Sequence, residues 1–155
     1  MTTIPELFDL TGRAAIVTGG ASGLGQYYAQ ALIGAGADVF VVSRSEKGWQ
    51  ELRQFAAQHG RQVVFMTQDL TAEQAAINVI TEFKKHFESL DILINNAGVQ
   101  IRNDIVSYRD EDWQKVIDIN LNALYYLSHE AAKVMITQKS GKIINIEIGR
   151  ASCRE

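Results

Sequence analysis

The chain has 155 residues, enough for one domain with a hydrophobic core. Apolar residues make up 46% and charged residues 21%, as in soluble globular proteins, and a formal net charge of -3 argues against a nucleic-acid partner. No apolar run reaches the roughly 18 residues that a membrane span needs, so a membrane partner is not expected either.

The ends of the chain indicate its compartment. The N-terminal stretch MTTIPELFDLTGR carries acidic residues and lacks the basic-then-apolar layout of a signal peptide. The single cysteine, Cys153, cannot form an internal disulfide, which fits a reducing environment. We therefore expect a cytoplasmic protein.

Short apolar runs alternate along the chain with longer amphipathic stretches. The runs predict five near-continuously apolar strands, the pattern of parallel strands covered on both faces, at Ala14–Thr18, Val39–Ser43, Gln62–Thr67, Ile92–Asn95 and Lys142–Ile146. The stretches between them predict helices at Gly23–Ala35, Lys47–His59, Ala72–Phe87 and Asp112–Gln138. The last stretch is either two helices or one helix that starts near Trp113. This alternation predicts an α/β fold with a doubly wound parallel sheet of right-handed βαβ units.

A glycine-rich stretch, TGGASGLG, connects the first predicted strand to the first predicted helix. A diphosphate at such a turn must approach backbone N–H groups and the positive end of the helix, and a side chain would block it. The spacing is TGxxxGxG, and no GK[ST] follows as it would in a P-loop. A merely glycine-rich turn is the alternative. The stretch predicts a dinucleotide site that includes Thr18, Gly19, Ser22, Gly23, Leu24 and Gly25.

The end of the second predicted strand bears on cofactor choice. An acid at this place would bind the ribose 2′-hydroxyl, whereas an arginine would bind a 2′-phosphate. The strand ends in Ser43 and Arg44, and the first carboxylate is Glu46. This order favours NADP(H) over NAD(H), although Arg44 could also be a solvated surface arginine.

Four motifs in this order resemble the short-chain dehydrogenase/reductase family: TGGASGLG, the pair Asp69-Leu70, NNAG at 95–98, and Asn120 in DINL. The resemblance implies a Rossmann-type sheet, incomplete here with about five of the family's seven strands. It implies that Asp69 and Leu70 lie beside the adenine ring. It also implies that Asn120 holds a water in a proton relay, and that the cofactor is bordered by Asn96, Ala97 and Gly98.

Two stretches, NNAGVQIRNDIVSYRDEDWQKVIDIN and SGKIINI, are most similar to bacterial sugar-acid dehydrogenases of the 2-deoxy-D-gluconate 3-dehydrogenase and gluconate 5-dehydrogenase groups. The resemblance implies an NAD(P)-dependent oxidoreductase that interconverts a secondary alcohol and a ketone, and a full-length homo-tetramer. Arg102 follows NNAG closely and could bind a substrate carboxylate through two parallel hydrogen bonds. A plain surface arginine is an equal alternative.

The family's catalytic serine, tyrosine and lysine have no counterpart in this sequence. Ile148 stands at the serine position, and no tyrosine is followed four residues later by a lysine. We therefore expect the chain itself to be inactive as a dehydrogenase. A non-catalytic nucleotide-binding module is the alternative function, because the phosphate-binding turn is present without the proton donor.

The resemblance ends at Ile146, which divides the chain into residues 1–146 of a dinucleotide-binding domain and residues 147–155. The last nine residues, EIGRASCRE, can be back-translated into the opening of a common sequencing adaptor. We expect them to be a non-native tail joined to a truncated gene.

No metal site is predicted. His59, His86 and His129 fall on separate predicted helices, without cysteines or closely spaced carboxylates. The acidic run RDEDW at 109–113 is typical of a helix N-terminus, where acids favour the helix dipole, with Asp110 or Asp112 as the cap.

Overall fold

A computed structural model describes residues 7–146, so the predicted tail at 147–155 lies outside the described residues. Five parallel strands form one sheet in the order β3–β2–β1–β4–β5. The strands are β1 (Ala14–Thr18), β2 (Asp38–Ser43), β3 (Val63–Thr67), β4 (Ile92–Asn95) and β5 (Lys142–Asn145). The predicted α/β class, a Rossmann-type doubly wound parallel sheet, is confirmed.

Helices connect the strands and cover the sheet. They are α1 (Gly23–Gly34), α2 (Trp49–Gln58), α3 (Ala75–Phe83), α4 (Asp110–Ile117) and α5 (Ala123–Gln138). A π-helical turn, Asp118–Asn122, joins α4 to α5, so the segment from 110 to 138 is continuously helical. A single 3-10 turn, Ile105–Ser107, precedes it. Across residues 7–146, none of the helices has the length and apolarity to cross a bilayer.

The core has two halves because successive side chains of a strand point to opposite faces of the sheet. Ile16 of β1 packs with Phe83 of α3 and Leu127 of α5 on one face. Its neighbour Val17 packs with Ile33 of α1 on the other face, where α2 also contributes to the cluster. β1 is buried along its whole length, which accounts for its continuous apolar sequence.

The two edges of the described sheet are less covered than its centre. β3 is only partly buried, and every residue of β5 is exposed, with Ile143 at 38% and Ile144 at 45% exposure. The exposure of β5 differs from the coverage on both faces that its apolar sequence indicates. Among the described strands β5 pairs with β4 alone. An apolar sequence alone does not create the elements that would cover it.

The acidic run lies at the N-terminus of α4 as predicted, but its cap differs from the prediction. Arg109 is the N-cap residue, and Asp110 and Asp112 lie within the first turn, so neither acid is the cap. The carboxylate of Asp112 turns inward and accepts two hydrogen bonds from the Arg109 guanidinium, at 2.8 and 2.9 Å. The ion pair replaces the expected cap, and it lowers the pKa of Asp112.

Asp91, just before β4, ties together the amino ends of β1 and β4. Its carboxylate accepts hydrogen bonds from Arg13 Nη1 at 2.8 Å, from the Ala14 N–H at 3.0 Å and from Ser89 Oγ at 2.7 Å. Burial raises the pKa of Asp91, but these hydrogen bonds and the Arg13 charge outweigh it, so the pKa lies below its usual 3.8. The ionised form therefore stabilises the fold.

We expect Asp91→Asn to lower the free energy of unfolding by about 1–3 kcal/mol at pH 7, because an amide cannot accept all three hydrogen bonds. The folded-state pKa lies below the unfolded value, so this stabilisation is present above pH 3.8 and is lost as the pH falls through the folded pKa. Urea unfolding at pH 7 and at an acidic pH below the folded pKa should show the two proteins converging in acid. Glu88→Gln, an exposed change in the same loop, is the control. An equal difference at both pH values would contradict the prediction.

Candidate cofactor-binding site

A cleft of about 610 Å³ opens at the carboxyl ends of β1, β2 and β4. The chain moves outward from β1 to β2 and β3, then returns to place β4 on the other side of β1. Ligands of open α/β sheets bind where the strand order reverses in this way. The cleft is lined by Gly19, Ser22, Val42, Ser43, Arg44, Ser45, Gln68, Leu70, Asn96, Ala97, Gly98, Val99 and Ile119.

The predicted site residues fall into three groups. Eight of them line the cleft: Gly19, Ser22, Ser43, Arg44, Leu70, Asn96, Ala97 and Gly98. Six do not line the cleft but lie within three positions of a residue that does: Thr18, Gly23, Leu24, Gly25, Asp69 and Asn120. Arg102 lies apart from it, exposed, with Nη2 donating to Gln100 Oε1 at 3.2 Å.

Sequence reasoning missed five lining residues: Val42, Ser45, Gln68, Val99 and Ile119. Four of them could have been found by a simple rule. The carboxyl ends of parallel strands meet at one edge of a sheet, so residues at or just after these ends are candidates. Ile119 follows no strand, and only its position beside Asn120 pointed to it.

The glycine loop, Thr18–Gly25, packs against the residues that follow β4. Gly19 has φ +65°, and a Cβ there would lie 3.0 Å from Asn96 Nδ2 and 3.2 Å from Ala97 Cα. A Cβ on Gly25 would overlap the Gly19 carbonyl oxygen and lie 2.5 Å from Asn96 Nδ2. The loop can therefore pack this closely only because Gly19 and Gly25 have no side chains, and a glycine-rich turn of this kind is the shape that a diphosphate requires.

Thr18 joins the glycine loop to the loop after β4. Its Oγ1 accepts hydrogen bonds from the N–H groups of Asn96 and Ala97, both at 2.9 Å, and donates to the Ile94 carbonyl at 3.4 Å. Asn96 Nδ2 returns a hydrogen bond to the Thr18 carbonyl at 3.1 Å. Thr18 is buried, whereas Asn96 and Ala97 are partly buried, so the hydroxyl of Thr18 lies on the inner side of this junction. This junction holds one wall of the cleft against the other.

The side chain of Asn120 holds the next part of this wall. Its Oδ1 accepts from the Val99 N–H and its Nδ2 donates to the Val99 carbonyl, both at 2.9 Å. A Cβ on Gly98 would lie 3.1 Å from Asn120 Oδ1, so the loop approaches the amide closely. The side chain is thus engaged with the backbone, and the residue lies within the π-helical turn.

Asn95 performs a similar task at the end of β4. Its Nδ2 donates to Ser128 Oγ of α5 and to Asn145 Oδ1 of β5, both at 2.9 Å. Asn95 is buried, and Asn145 is its direct neighbour across the parallel pair of strands. The carboxyl end of β5 is therefore held in register beside the cleft.

Arg44 places a positive charge at the end of the cleft that lies beside β2. Arg44 is exposed at the end of β2, between the lining residues Ser43 and Ser45. Across from it, Asp69 Oδ1 accepts hydrogen bonds from the Thr71 N–H at 2.9 Å and the Thr71 hydroxyl at 2.8 Å. These hydrogen bonds, and to a smaller extent the Arg44 charge, lower the pKa of Asp69. Asp69 thus shapes the loop after β3, while Leu70 presents an apolar surface to the cleft.

The three histidines do not assemble a metal site. His86, in the turn after α3, contacts Glu82 of α3 at 3.4 Å, and His129 contacts Glu130 at 3.3 Å. His59 Nδ1 lies 2.9 Å from the Phe55 carbonyl. Between residues 7 and 146, no three or more histidine, cysteine, aspartate or glutamate side chains converge where a metal ion could bind.

Comparison with known proteins agrees with this geometry. The family model described as short chain dehydrogenase matches residues 13–151. The uncharacterised oxidoreductase YgcW of Escherichia coli is 47% identical over 141 residues, which cover 91% of this chain and 54% of YgcW. The 2-dehydro-3-deoxy-D-gluconate 5-dehydrogenase of Bacillus subtilis is 38% identical, over 91% of this chain and 55% of the enzyme. The chain thus spans about half the length of the curated relatives it matches.

Solved structures show the same fold. One is a protein from Beutenbergia cavernae, provisionally named an NAD(P)-dependent gluconate 5-dehydrogenase, with NADP bound at low occupancy. It superposes with a TM-score of 0.82 at 32% identity, covering 92% of this chain and 56% of that one.

Proposed function

The chain belongs to the short-chain dehydrogenase family, and we propose that the whole protein is an NADP(H)-dependent oxidoreductase that interconverts a secondary alcohol and a ketone on a sugar acid. The observation that carries this proposal is the cleft at the switch point of the sheet, with a glycine loop on one side and Arg44 at its far end. The substrate class is the finer part of the proposal and has separate support.

The residues present fit a dinucleotide. The reason is steric, because a Cβ at Gly19 or Gly25 would collide with the residues packed against the loop and displace its backbone. We assign the diphosphate to the glycine loop, the adenine to the surface of Leu70, and the nicotinamide end to the wall formed by Ala97 and Gly98. When bound, the nicotinamide would supply or accept the hydride.

The preference for NADP(H) over NAD(H) rests on charge. Arg44 is the first charged residue after β2, and a guanidinium can form two charge-assisted hydrogen bonds with a phosphate. An acid at this place would instead repel a 2′-phosphate, and here the first acid is Glu46. The NADP in the Beutenbergia cavernae relative is consistent with this choice.

The sugar-acid substrate is supported by the enzyme activity that the Bacillus subtilis relative carries in its name. Arg102 supplies a physical reason in this chain. It lies four residues after Gly98, with an exposed guanidinium that is bound only to the side chain of Gln100 among the described residues. That interaction leaves most of its N–H donors available for a carboxylate.

Proton transfer would need groups beyond those in this sequence, because it contains no Tyr-x-x-x-Lys. Asn120 would take part in the proton relay through its backbone. Its side chain is engaged with Val99, so a relay water would bind a backbone carbonyl of the π-helical turn, where the helical hydrogen-bond pattern is shifted. The 155-residue chain alone should therefore turn over no substrate.

The deciding experiment uses the product of the complete gene. It should oxidise gluconate or 2-deoxygluconate with NADP⁺, or reduce their keto forms with NADPH. Either reaction is measured by the change in the absorbance of the cofactor. Neutral polyols of similar length test the sugar-acid assignment, and equal turnover of these would remove it. Saturable NADPH binding without turnover of any alcohol or ketone would instead establish the non-catalytic module.

Arg44→Ala should weaken NADPH binding by about 10- to 100-fold, because charge-assisted hydrogen bonds contribute about 1.5–3 kcal/mol. NADH lacks the 2′-phosphate, and its affinity should change less than about threefold. Titration of the cofactor fluorescence would measure both dissociation constants. Arg53→Ala removes an exposed arginine on α2, outside the cleft residues, and is the matched control. Equal losses for both cofactors would contradict the assignment of Arg44.

A further inference from the structure

Gly48 connects two cofactor-facing loops that are distant in sequence. Its N–H donates to the carbonyl of Ala21, in the glycine loop, at 2.8 Å. Gln26 of α1 reaches the same point, with Nε2 3.5 Å from the Gly48 carbonyl. Gly48 is buried, although the four residues before it are exposed. These exposed residues, Arg44–Lys47, are called the ribose loop below.

The ribose loop is held against the glycine loop at both of its ends. Before it, the Val42 carbonyl accepts a hydrogen bond from the Gly19 N–H at 2.7 Å; after it, Gly48 binds Ala21. Two serine hydroxyls hold its interior, since Ser43 Oγ accepts from the Ser45 N–H at 3.4 Å and Ser45 Oγ accepts from the Lys47 N–H at 3.3 Å. The position of Arg44 relative to the glycine loop is therefore set by the contacts at the two ends.

The contact at Gly48 tolerates no side chain. A Cβ there would lie 2.5 Å from the Ala21 carbonyl oxygen and 2.7 Å from Gln26 Oε1. Gln26 could turn aside, but the Ala21 oxygen belongs to the backbone of the glycine loop. Even one methyl group would force the two loops apart. The constraint is one of space, because the backbone angle of Gly48, φ -111°, is open to any residue.

We propose that Gly48 is a positioning residue for cofactor selectivity. It fixes the distance between the glycine loop, which would bind the diphosphate, and Arg44, which would bind the 2′-phosphate. A rigid cofactor segment spans these two groups, so a preformed distance avoids the cost of ordering an exposed arginine loop on binding. This inference rests on the proposed function, because it assumes that the cleft binds NADP(H).

The test compares Gly48→Ala with the unaltered full-length gene product. We expect the ratio of NADPH to NADH affinity to fall about tenfold, since displacement of the ribose loop weakens the 2′-phosphate contact while NADH does not use it. Gly34→Ala, at the end of α1, is the matched control, because no atom lies within 4 Å of a Cβ built there. Thermal unfolding of each variant shows whether the fold survives.

A selectivity ratio that stays unchanged in a folded Gly48→Ala protein overturns the inference, even if both affinities fall together. The proposed function fails differently: the unaltered protein would then bind neither cofactor. If Gly48→Ala does not fold, Gln26→Ala decides the question, because it removes only the side-chain part of the contact. We expect it to lower the selectivity ratio about two- to threefold, and no change in that ratio overturns the inference.

Discussion

Replacing Gly25 by alanine should weaken the binding of NADPH and NADH by about 100-fold, the largest effect on cofactor affinity expected from any single methyl group in this protein. The added Cβ would overlap the Gly19 carbonyl oxygen and lie 2.5 Å from Asn96 Nδ2. Both neighbours are fixed, one as backbone and the other by its hydrogen bond to the Thr18 carbonyl. The glycine loop must therefore move, and its N–H groups would no longer point toward the diphosphate.

Gly25→Ala should lower the affinity for NADPH and for NADH by the same factor, and this equality distinguishes it from Arg44→Ala and Gly48→Ala. Titration of full-length Gly25→Ala with each cofactor gives the two dissociation constants, and overpacking should also destabilise the fold by about 1–3 kcal/mol. Gly34→Ala adds the same methyl group to the same helix, where a Cβ meets nothing within 4 Å. It should bind both cofactors as before. Near-normal affinity in Gly25→Ala would contradict the assignment of the glycine loop to the diphosphate.

The strands could be predicted where their surroundings in the fold are the ones that such sequences usually have. β1 and β4 have the predicted bounds, because continuous apolar runs are typical of parallel strands covered on both faces and the sheet covers these two strands in that way. β5 has a similar sequence but is exposed, since coverage depends on which elements pack against it. Periodicity specifies how a segment folds, whereas burial depends on the rest of the molecule.

The helix boundaries show a second limit of pattern reasoning. α3 starts at Ala75 and not at the predicted Ala72, because Gln74 adopts a left-handed conformation with φ 59° and breaks the helix before it. The π-helical turn Asp118–Asn122 inside the long helical segment was also not predicted. The spacing of apolar residues changes little when one residue is inserted into a helix, so it does not reveal a π-helical turn. The hydrogen bonds between Asn120 and Val99 also join residues 21 positions apart, which a local pattern does not show.

The cleft was predictable as far as single motifs describe it. The glycine loop and NNAG each marked their own residues, but the contacts between motifs did not follow from either one. Gly48 is the clearest case, because nothing in the sequence VVSRSEKGW distinguishes it from an ordinary turn glycine. Its proximity to Ala21, 27 positions earlier in the chain, is a property of the folded sheet.

Thr18→Val should lower the free energy of unfolding by about 2–6 kcal/mol, the largest stability effect expected here. Valine has nearly the shape of threonine but cannot accept the hydrogen bonds from the N–H groups of Asn96 and Ala97. Both groups bind Thr18 Oγ1 at 2.9 Å, and each buried donor left without an acceptor costs about 1–3 kcal/mol. Urea unfolding of the full-length protein and of its Thr18→Val variant measures the difference, provided that the free energy of unfolding has the same dependence on urea concentration in both.

Thr18→Ser distinguishes the hydroxyl from the rest of the side chain. It keeps the acceptor and loses one buried methyl group, so it should cost only about 1 kcal/mol. Cofactor affinity should follow stability in this pair, because the residues that Thr18 holds, Asn96 and Ala97, line the cleft. If Thr18→Val were no less stable than Thr18→Ser, water or another group would have to satisfy the two N–H groups. The junction between the glycine loop and the loop after β4 would then depend on packing and not on these hydrogen bonds.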